Sequence, residues 1–289
     1  MSTAASSSTH ADALVPPRIP LADGGWLSTV SLGTWKLDHE AARAAVAASI
    51  LAGYRQVDTA ARYHNELGVG QGIRDAGLAD GEVQVTTKVR GGDQGYEETL
   101  RAVESSRRIL GLDRIDLCLV HWPLPRLDRY VDTWRALVRL REDGVVASIG
   151  VSNFSLEQID RLEAETGVLP VVDQVELHPR LPQAALRAGL AGRGVVAQAW
   201  GPLGRGKGLL DAEPLVAAAR AHGVTPAQVA LRWLVEIGAP PVPKSGDPDR
   251  RLANLDVFGF ALTPDEHAAI ATLETGERAG KDPATDEEF

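Results

Sequence analysis

Short apolar runs rich in β-formers recur along the chain at 31–35, 54–59, 83–88, 115–121, 148–152, 171–176, 195–200 and 240–244. Between them lie stretches whose apolar residues fall at helical spacing, among them 39–52, 97–110, 131–142, 156–166 and 225–237. Strand and helix patterns that alternate eight times, with no run of consecutive strands, predict a single-domain α/β fold closed as a (β/α)8 TIM barrel. An open, doubly wound sheet is the alternative that this pattern leaves. Ahead of the first strand, IPLADGGWLS predicts an N-terminal β-hairpin turning at Asp23-Gly24-Gly25. Residues 1–16 are mostly small and polar, without the basic start and apolar core of a signal peptide, and read as a disordered leader. The barrel domain is then expected over 17–289. It ends in an extended tail, polar and acidic from Thr275 onward and expected to be loosely held.

What ends each apolar run carries more information than the runs themselves. Asp58, Lys88, His121, Ser152 with Asn153, Gln174, Trp200 and Lys244 each close one. In a parallel barrel all such ends open on one face, where this fold builds its active sites. One polar strand end means little. Seven of them argue for a site.

Composition narrows the chemistry. A length of 289 residues suits one barrel, and a net charge of -9 excludes a general nucleic-acid binder, which needs a basic face. No apolar stretch reaches the roughly 20 residues of a membrane span. The lone Cys118 can form no internal disulfide and fits a buried thiol in a reducing compartment, so a soluble, cytoplasmic protein is expected. The histidines form no H-x-H or H-E-x-x-H pattern and a single cysteine builds no thiolate site, so no metal is expected. Only five lysines occur against 25 arginines, and two of the five are Lys88 and Lys244. Where arginine is the default cation, a strand-end lysine points to a need for a compact, tunable charge.

Asp58, Tyr63, Lys88 and His121 together suit proton delivery. Free tyrosine titrates near pH 10, a poor donor at neutrality. An adjacent ammonium favours the phenolate, a carboxylate keeps that ammonium charged and oriented, and a histidine can hold the oxygen that receives the proton. Each residue also has a plain structural reading. Asp58 could cap a loop, His121 could be a core histidine, and Ser152-Asn153 could cap the helix before Ser155. Gln174 and Glu176 could form an internal polar layer, and Trp35, Trp122 and Trp200 could fill the core. Two glycine motifs mislead. GPLGRGKG (201–208) lacks the hydroxyl that ends a phosphate-cradling loop, and GVGQG (68–72) lies in a helical stretch, not after a strand.

GYRQVDTAARYHNE (53–66), TTK (86–88), LVHWP (119–123), GVSNF (150–154), QVELHP (174–179), AWGPLG (199–204) and PKSGDPDRRLANL (243–255) resemble, in order, the signature series of the aldo-keto reductases. The likeness is greatest to the prokaryotic branch that includes 2,5-diketo-D-gluconate reductases. It implies an NADPH-dependent reduction of an aldehyde or ketone, on a keto-sugar acid or small dicarbonyl, by a monomer. Under it Tyr63 is the general acid, Lys88 its partner, Asp58 the lysine's anchor and His121 the substrate-orienting group. Ser152, Asn153 and Gln174 would hold the nicotinamide carboxamide, and Trp200 would stack on the ring. Gly201, Leu203 and Gly204 would approach the cofactor from the glycine-rich loop. Lys244, Ser245 and Arg250 would take the 2′-phosphate, Asn254 the adenine, and Trp35, His64 and Trp122 the substrate. Asp247 departs from the pattern and is expected to oppose the phosphate, while the adjacent Arg251 would add a cation. Substrate choice is assigned to loops 89–98, 122–130 and 201–210 and to the tail. A non-catalytic NADPH-binding regulator and a metal-dependent barrel hydrolase are the alternatives.

Overall fold

The computed structural model describes residues 14–79 and 81–285. Most of the expected leader (1–13) and the end of the tail (286–289) lie outside the described residues; Leu14 already packs against the core. Strands β1 (Arg18–Pro20) and β2 (Trp26–Ser28) pair antiparallel as the expected hairpin. Its turn places Gly24 at φ +88°, and Gly25 N–H donates to Asp23 Oδ1.

Eight parallel strands follow in sequence order: β3 (Leu32–Gly33), β4 (Gln56–Asp58), β5 (Gln84–Val89), β6 (Ile115–Val120), β7 (Val146–Ser152), β8 (Val172–Glu176), β9 (Val196–Trp200) and β10 (Pro241–Val242). Ser31 and Gly33 donate their N–H groups to Pro241 O and Pro243 O, which joins the last strand to the first and closes the barrel. Around it run α1 (His39–Ala52), α2 (Glu66–Ala76), α3 (Tyr96–Leu110), α4 (Tyr130–Glu142), α5 (Leu156–Thr166), α6 (Ala184–Ala191), α7 (Glu213–His222), α8 (Pro226–Glu236), α9 (Pro248–Leu255) and α10 (Pro264–Ala271). The five helices read from spacing match to within one residue at each end. Local chemistry sets their limits: Asp38 caps α1 through Ala41 N–H, and Ser155–Gln158 and Thr225–Gln228 form reciprocal capping boxes on α5 and α8.

Strand alternation sorts the side chains. On β6, Cys118 and Val120 join the large apolar layer shared with α4 and α5, whereas Leu117 and Leu119 pack with Leu21 and Leu27 of the hairpin and with Val172. The hairpin thus plugs the lower end of the barrel. Burial pushes the Cys118 thiol far up, which keeps it inert. Above the plug the interior turns polar: Gln56 donates to Thr86 Oγ1 and accepts from Ser28 N–H and Ser31 Oγ. The same face of β4 and β5, two residues further on, carries Asp58 and Lys88.

The glycines of GVGQG have a packing role. A Cβ at Gly68, Gly70 or Gly72 would overlap the backbone carbonyl of His39, Leu110 or Arg43, so α2 lies directly on α1 and on the end of α3. The tail corrects an expectation. It is held, not loose, as far as Gly280: Thr275 and Gly276 donate to Arg180 O, and Ala279 and Gly280 to Glu176 Oε1. Its polar composition hid this, because backbone amides make the bonds. Among the described residues no helix is long and apolar enough to cross a membrane.

Candidate active site

Lys88 Nζ lies 2.5 Å from Asp58 Oδ1 and donates to Thr59 O at 3.0 Å. Only 1% of the lysine side chain and 5% of the aspartate side chain are exposed. A buried ion pair survives only when further hydrogen bonds satisfy it. Here Gln174 Nε2 donates to Asp58 Oδ2 at 2.7 Å and to Gln198 Oε1 at 2.8 Å. Asp58 therefore caps no loop; its carboxylate is spent on Lys88 and Gln174.

Tyr63 closes a short 3-10 turn, Ala61–Tyr63, directly after β4. Its ring centre is 5.4 Å from Lys88 Nζ and 5.8 Å from the His121 ring, which meets it edge-on at 73°. Lys88 near the end of β5 and His121 just after β6 approach this turn from the next two strands, so the four residues share one mouth of the barrel.

A second polar group lies beside them. Ser152 Oγ donates to Gln174 O, and Asn153 Nδ2 donates to His121 O at 3.0 Å and to Ser152 Oγ at 3.1 Å. Trp200 Nε1 donates to Asn153 Oδ1 at 2.8 Å, which fixes one edge of the indole. Neither Ser152 nor Asn153 caps α5, since Ser155 does that. Asn153 takes the left-handed conformation (φ +68°) that asparagine tolerates. Trp122 stands 6.5 Å from Trp200 between ring centres. Trp35 is 37% exposed, with Lys36 Nζ 4.4 Å and the Arg205 guanidinium 4.1 Å from its ring. His64 is exposed at the end of the 3-10 turn (φ +56°), with buried Glu66 as its charged neighbour.

Next to this group β8 carries Asp173, fully buried with Oδ1 3.4 Å from Phe154 N–H. Burial pushes its carboxyl up to about 8, against a weaker pull from the backbone N–H groups of Phe154 and Asn153. Between about pH 4 and 8 the folded chain keeps a proton that the unfolded chain, titrating near 3.9, has released. Stability therefore falls as pH rises through that window. Asp173→Asn copies the neutral form, so its melting temperature should gain on the parent's progressively from pH 4 to 8. Parallel melting curves against pH would contradict this.

A cationic patch brings together Lys36 after β3, Lys244 after β10 and Arg250 in the first turn of α9. Burial first, then the charges of Lys36 and Arg250, hold the Lys244 ammonium below its usual range. Among the described residues neither Lys36 nor Lys244 pairs with a carboxylate. Three cations drawn together with one carboxylate, Asp247, beside Arg250 leave a net positive charge that fits an anion such as a phosphate ester. Ser245 and Asn254 are buried beside them. One expectation changes here, that for Arg251, while Asp247 gains a structural role. Asp247 is the N-cap of α9, accepting Arg250 N–H at 2.9 Å, with its carboxylate 3.7 Å from Arg250 Nη2. Arg251 turns inward and donates to Ser245 O and Gly246 O, bracing the loop and not adding to the patch. After β9 the glycine-rich loop holds Gly201, Gly204, Gly206 and Gly208 at positive φ, and α7 begins only at Glu213. The segment is thus no phosphate-cradling loop opening directly into a helix.

A model of the Aldo/keto reductase family matches residues 24–275. The chain belongs to that family. It is 47% identical to 2,5-diketo-D-gluconic acid reductase B of a Corynebacterium over 94% of this chain and 99% of that protein. Identity is 40% to methylglyoxal reductase DkgA of Salmonella typhimurium, covering 93% and 97%. A solved Bombyx mori aldo-keto reductase in complex with NADP superposes with a TM-score of 0.87 at 35% identity, covering 92% of this chain and 95% of that one. For this aldo/keto reductase, sequence reading overlooked Lys36, Thr59 and Gln198. Lys36 was legible as one of only five lysines, and Gln198 as the residue two before Trp200, on the same strand face. Thr59 takes part through its carbonyl, which no side-chain pattern reveals.

Proposed function

We propose that this aldo/keto reductase reduces an aldehyde or ketone to the alcohol with NADPH, Tyr63 delivering the proton. The observation that carries the reading is Lys88, buried between the Asp58 carboxylate and the Tyr63 ring. When bound, the reduced nicotinamide supplies the hydride. The chain's residues do the rest. The Tyr63 hydroxyl donates to the oxygen that gains negative charge, and Lys88 stabilises the phenolate left behind. Asp58 holds the ammonium in place, and His121 orients the carbonyl oxygen toward the phenol. Ser152, Asn153 and Gln174 would hold the carboxamide, and Trp200 would stack on the ring. Gly201, Leu203 and Gly204 would let the loop backbone come close to the pyrophosphate. Lys244, Ser245 and Arg250 would bind the 2′-phosphate, and Asn254 the adenine.

Trp35 and Trp122 border the substrate, with His64 at the outer edge. The named activities of the relatives support keto-sugar acids and small dicarbonyls as candidate substrates. The same reading makes the chain a cytoplasmic monomer over its 17–289 domain. Following NADPH consumption across a panel of such carbonyls tests the activity; no turnover on any of them would refute it. Cofactor choice has its own test. Lys244→Ala should lower the NADPH-to-NADH ratio of kcat/KM about tenfold or more, the worth of one charge-assisted bond. An unchanged ratio would remove Lys244 from phosphate recognition.

A further inference from the structure

Glu176 is a buried carboxylate for which proton delivery has no use. It ends β8, on the same strand face as Gln174, and is fully buried. Its Oε1 accepts Ala279 N–H at 2.7 Å and Gly280 N–H at 2.8 Å, and lies 3.2 Å from His178 Nε2. Burial alone would push this carboxyl up. The bonds from His178, Gly280 and Ala279 outweigh it and hold the group below the usual carboxylate range. Charge-assisted bonds to two successive amides make a strong, directional anchor.

The neighbouring Arg180 holds the same tail. Its carbonyl accepts from Thr275 and Gly276, while its guanidinium donates to Lys207 O at 2.7 Å and Gly208 O at 3.0 Å. One short segment, 176–180, therefore fastens both the tail and the glycine-rich loop. What the anchored tail touches is Trp200. A Cβ on Gly280 would overlap Trp200 Cη2 and stand 2.9 Å from Cζ3. With Nε1 held by Asn153, the indole is gripped at both ends.

We propose that Glu176 is a positioning residue for substrate recognition: through the two amides it pins residues 279–280 against Trp200, and the pinned tail forms the wall against which the carbonyl compound sits. This rests on the reductase reading above. Because the cationic patch at Lys244 and Arg250 lies away from the tail, release of the tail weakens substrate binding more than cofactor binding, whose share of the cost comes through Trp200. Uniform loss of substrate binding raises KM and leaves kcat in place.

The test uses the full-length protein. Glu176→Ala should raise KM for the preferred carbonyl about tenfold, with kcat within about twofold of the parent and the NADPH Kd rising clearly less than KM. Glu176→Gln keeps an oxygen for both amides and should restore most of the KM. Gly280→Val forces the tail off Trp200 without altering the barrel interior, so it should reproduce the alanine phenotype even if Glu176→Ala folds poorly. Amide exchange at residues 279 and 280 should be slow in the parent and at least about tenfold faster in Glu176→Ala. The proposal is overturned if Gly280→Val leaves KM within twofold, if the NADPH Kd rises as much as KM, or if the amides exchange alike with and without the carboxylate. A parent that reduces no carbonyl refutes the reductase reading instead, and the exchange rates still decide whether Glu176 holds the tail.

Discussion

Tyr63→Phe should lower kcat/KM for carbonyl reduction between about a hundredfold and ten-thousandfold, the range that a positioned general acid contributes. Phenylalanine keeps the ring that meets His121 edge-on and lies 5.4 Å from Lys88 Nζ. The fold and the NADPH Kd should therefore be untouched, and the loss should appear in the reduction step. Nothing else in the mouth replaces the phenol as readily. Lys88 is engaged by Asp58 and Thr59, and His121 approaches from the side. A loss below about threefold would mean that the proton comes from elsewhere.

The second large effect belongs to Lys88→Met. It removes the cation that favours the phenolate, and it strands Asp58 as a buried carboxylate supported by Gln174. Breaking one side of a buried ion pair costs about 3–5 kcal/mol, so thermal stability should fall together with activity. The two losses are separable. Adding Asp58→Asn to Lys88→Met removes the stranded charge and should return most of the stability. It cannot return the ammonium, so turnover should stay at the level of the single variant. Activity that recovered along with stability would reduce Lys88 to a structural ion-pair partner.

Most of the barrel was legible because two periods, near two and near 3.6 residues, are written directly into the apolar positions. Asp58, Lys88, His121, Gln174 and Trp200 could be placed because each lies at or near the end of an apolar strand, and a parallel barrel gathers such strand ends at one mouth. Tyr63 sits on a turn, outside any periodic pattern; the chemistry it could share with Lys88 brought it in, and the family resemblance made it the general acid. The rest depended on what periodicity does not encode. That Asp247 also caps a helix was not visible in the sequence, and Arg251 looked like a free cation until its two carbonyl partners were seen. The tail looked loose because its anchors are backbone amides meeting a carboxylate 103 residues earlier in the chain.

The pH dependence of single-turnover carbonyl reduction, at saturating NADPH, reads the phenol and its ammonium together. A proton donor must hold its proton, so the rate of the parent should fall on the alkaline side as Tyr63 ionises. Without the cation of Lys88 the phenol ionises less readily. In Lys88→Met the alkaline limb should therefore move at least about one pH unit upward while the plateau drops. A limb that stays where it was, or one that persists in Tyr63→Phe, would contradict proton delivery by a lysine-assisted phenol.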